Sequence, residues 1–195
     1  MSLSRFQLCQ FLLLLCATSI LPAAHADEAA TWAALDSGNQ VVLIRHASTE
    51  PGVGDPAGFT LDDCTSQRKL SAEGRAQAQR LGEQFRQRRI PVGQVWSSSW
   101  CRCTDTATLA FGQVKTMAML DSSFDDSAAA VRQKRLAVAA AVRAKPAGVN
   151  LVMVTHQVNI TELTGVVPRM GEVVVVSSTP KPDGTFAVVG RLQIP

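Results

Sequence analysis

Beyond residue 26 the chain carries two histidines, His46 and His156. Each follows a short run of strand-forming residues, Gln40 to Ile44 before the first and Leu151 to Thr155 before the second. Arg45 stands directly before His46, and Arg102 follows a third such run through Ser97-Ser98-Ser99. In an open, mostly parallel α/β sheet, ligands bind outside the carboxyl ends of the strands. If these strands are parallel, both histidines and both arginines meet on one edge. Arginine presents a planar fork of donors suited to phosphate oxygens. Two arginines also disfavour adding a proton to a neighbouring imidazole. A neutral histidine can attack phosphorus and form a covalent intermediate. A second one can hydrogen-bond the equatorial oxygens as charge moves in the transition state. A helix starting near Thr104 would add backbone donors. The constellation reads as metal-free phosphoryl transfer through a phosphohistidine.

The elements that must position these groups alternate. Strand-like segments cover Gln40 to Ile44, Val92 to Ser97, Val114 to Leu120 and Leu151 to Thr155. Helical patterns run from Ser71, a capping residue, to about Arg89, then over Thr104 to Phe111, Ala128 to Lys145 and Val158 to Leu163. Glu172 to Ser177 and Phe186 to Ile194 read as a terminal hairpin. This order predicts a single α/β domain of three layers: a mostly parallel central sheet flanked by helices, with a C-terminal hairpin. The polar stretch 47–69, rich in Gly and Pro, is too long for a routine connection and is a candidate functional loop.

The 195 residues are 46% apolar and 18% charged, with a net charge of +3. That excludes wholesale disorder and gives no basic surface for nucleic acid; tyrosine is absent, so there is no aromatic platform for single strands. Residues 1–26 read as a secretory signal peptide. Arg5 precedes an apolar run from Phe11 to Leu21, and small residues stand at Ala24 and Ala26. The run is short for a span of roughly 20 residues, so no stable membrane insertion is expected after cleavage. The expected mature domain is 27–195, in the periplasm or secreted. It keeps Cys64, Cys101 and Cys103. An oxidising compartment favours one disulfide, from Cys64 to either Cys101 or Cys103.

Four motifs then carry a family resemblance. Leu43-Ile44-Arg45-His46-Ala47, Leu70-Ser71-Ala72-Glu73-Gly74 through Gln77-Ala78, Ser97-Ser98 through Arg102 to Thr106-Ala107, and Val154-Thr155-His156 resemble, in order, the signatures of the histidine phosphatase superfamily, which includes the phosphoglycerate mutases. The resemblance implies His46 as nucleophile, with Arg45, Arg102 and His156 completing the phosphate pocket and Thr49 at a position where relatives often carry a hydroxyl. It implies a phosphatase without a cofactor, acting on a small phosphorylated substrate. Small exported members, such as lipopolysaccharide-core heptose phosphatases, fit the leader best. A lipopolysaccharide-core sugar phosphate is accordingly one expected substrate. The chain departs from the family at Ala47, Ser48 and Gln157. Some relatives have a proton-donating Asp after the second histidine, where Gln157 stands. Mutase-like relatives carry a Glu donor in a loop after the third strand, and the resemblance implies Asp121 as its nearest equivalent, with Asp62, Asp63, Asp125 and Asp126 as rivals. The alternative function is a non-catalytic binder of phosphorylated ligands on the same fold. A zinc site on the cysteines and a serine hydrolase on Ser97 to Ser99 are weaker, because Cys-x-Cys is tight for zinc and no G-x-S-x-G elbow is present.

Overall fold

The computed structural model describes residues 23–194, with side chains from Asp27 onward. The expected leader lies outside these residues, apart from the backbone of its last four. They begin helix α1 (Ala23–Asp36), an element the sequence reading does not include. The remaining elements are β1 (Val41–Arg45), α2 (Ala72–Gln87), β2 (Val92–Ser97), α3 (Cys101–Phe111), β3 (Lys115–Thr116), α4 (Ala128–Arg143), β4 (Asn150–Thr155), α5 (Gln157–Thr164), β5 (Val173–Val176) and β6 (Val188–Leu192).

The six strands form one sheet in the order β3-β2-β4-β1-β5-β6. β3, β2, β4 and β1 are parallel, and β5 and β6 return antiparallel as the expected hairpin. The central strands are apolar without interruption because both faces are covered. Their alternation splits the core in two. Val42, Ile44, Val152, Val154, Val173 and Val175 pack with Leu81 and Phe85 of α2, Ala107 of α3 and Leu35 of α1. Val41, Leu43, Leu151, Met153, Val174 and Val176 pack with Val138 and Val142 of α4 and Ile160 of α5. Fully burying one such side chain contributes on the order of 1.5–3 kcal/mol.

Two elements differ from expectation. The strand expected over Val114 to Leu120 is only Lys115–Thr116, followed by a 3-10 turn at Ala118–Leu120. That turn buries Leu120 fully and brings Asp121 to the edge of the sheet beside β2. Helix α3 begins at Cys101 rather than Thr104, which places Arg102 in its first turn.

Helix α2 is capped by the Ser71 hydroxyl, which accepts from the Gly74 N–H at 3.0 Å. Gly74 lies so close to the Ser48 carbonyl that a Cβ would stand 1.8 Å from that oxygen. From the next turn, Gln77 accepts the Ser48 N–H at 3.1 Å and donates to the Met170 carbonyl at 3.1 Å. The Leu-Ser-x-x-Gly-x-x-Gln pattern therefore clamps the segment just after His46.

The loop 47–69 is tied down by the disulfide Cys64–Cys101, which settles the pairing that the sequence leaves open. Cys103 is free and buried. Reduction should destabilise the domain by roughly 2–4 kcal/mol on the loop-entropy estimate. Thermal melts with and without a dithiol check this; an unchanged melting temperature would contradict it.

Candidate active site

The strand register assembles the site. Arg45 is paired with Thr155 across β1 and β4, and the His46 N–H donates to the Thr155 carbonyl at 3.0 Å. His46 and His156 thus leave adjacent parallel strands side by side, with ring centroids 5.6 Å apart. On the other flank of β4, the Ser98 N–H donates to the Val154 carbonyl at 2.9 Å. The connection after β1 leads to α2 on one face of the sheet, and that after β4 leads to α5 on the other. The histidines therefore stand at the switch point where α/β sheets open a crevice.

His46 is 3% exposed. Its Nδ1 lies 2.9 Å from the Ala47 carbonyl oxygen. A carbonyl can only accept, so Nδ1 carries the proton and Nε2 presents a lone pair. The Ala47 N–H is fixed in turn by the buried Thr106 hydroxyl at 3.0 Å. Burial lowers the His46 pKa to about 3; the Ala47 carbonyl pulls the other way, and Arg102, Arg45 and Arg68 push it down further. His156, 4% exposed, is likewise held well below its ordinary pKa, first by burial and then by His46, Arg102, Lys134 and Arg45.

Three guanidiniums surround these rings. Arg45 donates from Nη1 to the Gln157 amide oxygen at 2.7 Å and to the Pro168 carbonyl at 2.9 Å. Gln157, at the position where some relatives have a proton donor, therefore orients Arg45. Arg102 pairs with Asp55 at 2.7 Å, both side chains being 6% exposed. Arg68 donates to the Gly52 carbonyl at 2.8 Å. The pKa of Arg45 is lowered by burial and then by Arg68 and Arg102. That of Arg68 is lowered by burial and by Arg102, with Asp55 opposing. Nε of Arg45, Arg68 and Arg102 is buried and without a hydrogen-bond partner. A buried unmet donor costs roughly 1–3 kcal/mol, which an anion in the crevice would recover.

Asp55 and Arg68 are absent from the sequence reading; the one signal for either is the place of Arg68 just before the Leu70-Ser71 helix start. Asp55 accepts from the Arg68 N–H at 3.0 Å and from the Trp100 indole at 2.9 Å, besides Arg102. Burial pushes its pKa up, but these donors outweigh it, so the carboxyl stays below its ordinary value. Asp55 therefore holds Arg102 rather than supplying protons.

Asp121 accepts from the Ser99 N–H at 2.6 Å and from the Ser98 hydroxyl at 3.1 Å. The Ser98 oxygen is 2.9 Å from Nε2 of His156. Asp121 is thus brought to the second histidine. Of its rivals, Asp126 pairs with Lys134, and Asp63 caps its own turn at Thr65. Thr49 does not join the cluster; its hydroxyl contacts the Met170 sulfur at 3.9 Å and its backbone bridges to Leu70. The backbone donors expected at the start of α3 are largely taken. The Cys101 N–H goes to the Gln67 amide oxygen, and those of Cys103 and Thr104 go to the Trp100 carbonyl. Among the described residues no group of three or more His, Cys, Asp or Glu is arranged to hold a metal ion.

The unfolded chain protonates its imidazoles near pH 6.5, whereas the folded chain keeps His46 neutral down to about 3. Unfolding therefore takes up protons below pH 6.5, and stability should fall as pH drops from 6.5 toward 3. Denaturant melts across that range check this, and His46→Ala should flatten the slope.

A search by sequence among curated proteins finds no match. The family model of the histidine phosphatase superfamily (branch 1) matches residues 41–126, the stretch that holds Arg45, His46, Arg68, Arg102 and Asp121. Among solved structures, the protein histidine phosphatase SixA complexed with tungstate is 13% identical with a TM-score of 0.55, the match covering 79% of this chain and 96% of that one. The alpha-ribazole phosphatase of Shigella flexneri is 17% identical at a TM-score of 0.55, covering 76% and 94%. A mycobacterial glucosyl-3-phosphoglycerate phosphatase is 18% identical at 0.54, covering 77% and 95%. At such identities the likeness is one of fold, and it is the matched motif that carries the assignment. Residues 41–126 match the histidine phosphatase superfamily, and the described domain shares the fold of these phosphatases.

Proposed function

We propose that the protein is an exported, metal-independent phosphomonoesterase that works through a phosphohistidine at His46. The observation that carries this is the nucleophile itself: a neutral imidazole whose Nδ1–H is spent on the Ala47 carbonyl, leaving Nε2 bare among three guanidiniums. Nε2 attacks phosphorus and the ester oxygen departs. Water then attacks the phosphoryl group and restores His46. Arg45, Arg68 and Arg102 bind the phosphoryl oxygens, and His156 donates to them as charge builds. Asp121, one hydroxyl away from His156, supports the delivery of the proton that the leaving oxygen requires.

The charge balance supports a monoester. Around His46 three guanidiniums outnumber the Asp55 carboxylate, which leaves an excess of positive charge when both histidines are neutral. A phosphate monoester dianion matches that. The substrate is a small envelope or extracellular phosphate ester, with a lipopolysaccharide-core sugar phosphate as the favoured class. Two of the structural neighbours are named as phosphatases of small phosphorylated molecules. Export and a periplasmic or secreted location rest on the leader pattern in residues 1–26 and on a disulfide of the kind that oxidising compartments preserve. Among the described residues no helix is long and apolar enough to cross a membrane.

The test is phosphate release from an aryl phosphate, simple sugar phosphates and a lipopolysaccharide-core phosphosugar, all in chelator. Turnover that persists in chelator is expected. Loss on chelation with rescue by metal would overturn the metal-independent reading. Phosphate binding without turnover of any ester would favour the binding protein instead.

A further inference from the structure

We infer that Ser98 couples Asp121 to His156, so that Asp121 is a positioning residue acting through this hydroxyl and His156 is the group that exchanges a proton with the substrate. The inference rests on the phosphohistidine reading above.

Ser98 is fully buried at the end of β2. Its oxygen has three nitrogen or oxygen neighbours, Asp121 Oδ1 at 3.1 Å, His156 Nε2 at 2.9 Å and the Trp100 backbone nitrogen at 3.2 Å, and the Cys103 thiol also borders it. A hydroxyl has one proton and two lone pairs. The Trp100 N–H can only donate to it. The Asp121 carboxylate can only accept from it. The Ser98 proton therefore goes to Asp121, and its second lone pair takes a proton from His156. That fixes Nε2–H on His156. Nδ1 is left as the ring nitrogen without a hydrogen-bond partner among the described residues.

The carboxylate is itself held. Oδ1 accepts the Ser99 N–H at 2.6 Å and Oδ2 the Ser99 hydroxyl at 3.3 Å. The Asp121 backbone carbonyl accepts from Lys134 at 3.1 Å and from the Asn159 amide at 2.9 Å. The charged or titratable groups facing His156 are His46 beside β1, Arg45 on β1, Arg102 and Cys103 on α3, and Lys134 on α4. Burial pushes the Cys103 thiol up to about 12, so it stays protonated; its sulfur, 3.6 Å from Nε2, can share the Nε2 proton with Ser98. Burial first, and then His46, Arg102, Lys134 and Arg45, keep His156 neutral in the free enzyme, and the charged share of that effect is open to a ligand. A bound dianion cancels that field. The Asp121 charge, reached through Ser98, then supports an imidazolium whose second proton, taken up from solvent as the dianion binds and released again when phosphate leaves, sits on Nδ1.

The steps balance. Nε2 of His46 forms a bond to phosphorus, the bond from phosphorus to the leaving oxygen breaks, and the Nδ1 proton of His156 passes to that oxygen. Water next attacks the phosphoryl group. The nitrogen–phosphorus bond breaks and returns its electron pair to His46, and a water proton returns to His156. Asp121 keeps its charge throughout.

The test uses the full-length protein and the variants Ser98→Ala, Asp121→Asn and the double variant, with matching circular dichroism required of each. On an alkyl phosphate, each single change should lower kcat roughly 100-fold with KM little altered, and the double change should cost no more than the larger single one. On p-nitrophenyl phosphate, whose leaving group needs little protonation, the losses should be several-fold smaller. Wild-type kcat in Ser98→Ala beside a collapsed Asp121→Asn would overturn the coupling and make Asp121 the direct donor. Additive losses would overturn it equally. A second readout does not depend on turnover. In 15N-histidine spectra, His156 should be the Nε2–H tautomer and should lose that preference in Ser98→Ala; an unchanged tautomer would overturn the coupling. A wild type that hydrolyses nothing would sink the phosphatase reading and leave the tautomer result to decide the coupling.

Discussion

His46→Ala will abolish hydrolysis of every phosphate ester the protein accepts, a loss of at least roughly 10⁴-fold in kcat. The reason is specific to this ring. Its Nδ1 proton is committed to the Ala47 carbonyl, and its burial keeps the other nitrogen unprotonated. The other neutral ring, His156, keeps its open Nδ1 for the proton of the leaving oxygen. Nε2 of His156 is spent on Ser98, and Cys103 stays a buried thiol. Inorganic phosphate should still bind to His46→Ala, because the guanidiniums remain. Phosphate binding by calorimetry, run beside the activity assay, separates loss of the nucleophile from loss of the site. Residual turnover within tenfold of wild type would mean that another group attacks phosphorus.

Arg102→Ala will cost roughly 10²–10³-fold in kcat/KM, the scale seen when one donor to a developing oxyanion is removed. It will also destabilise the domain. Arg102 is paired with Asp55 at 2.7 Å where both side chains are buried, and removing one partner strands the other. Breaking such a pair costs on the order of 3–5 kcal/mol. Asp55 retains the Arg68 N–H and the Trp100 indole, so the penalty should fall at the lower end. Arg102→Lys separates the two effects. The ammonium keeps the charge opposite Asp55 and should recover most of the stability. It lacks the planar fork, so it should recover only part of the rate. Full activity in the lysine variant would show that Arg102 serves the fold alone.

The parts of this site that were legible are those written into strands. An unbroken apolar run followed by a polar residue marks the end of a buried strand, so Arg45-His46 and His156 declared their positions. Parallel pairing then put them together. Arg102 was legible through its motif, although α3 starts three residues earlier than Thr104 because the Trp100 carbonyl already accepts from Cys103 and Thr104. The loop was not legible in the same way. Asp55 and Arg68 lie in a polar stretch with no periodicity, and what makes them matter is long-range: one meets Arg102 and the other its neighbouring guanidiniums. The disulfide had two allowed partners at Cys-x-Cys, and only the packing of α3 chose Cys101 for the loop and left Cys103 facing His156. β3 is shorter than the strand-like residues Val114 to Leu120 suggest, because tertiary packing buries Leu120 in a tight turn and so delivers Asp121 to Ser98 and Ser99.

The most direct test of the account is capture of the covalent intermediate. The enzyme is mixed with a good substrate, quenched in base within a turnover, digested, and searched for a peptide carrying one added phosphoryl group. The account predicts a base-stable, acid-labile label on the peptide containing His46, absent from His46→Ala. A label on any other residue, or multiple turnover by His46→Ala with no label at all, would contradict it.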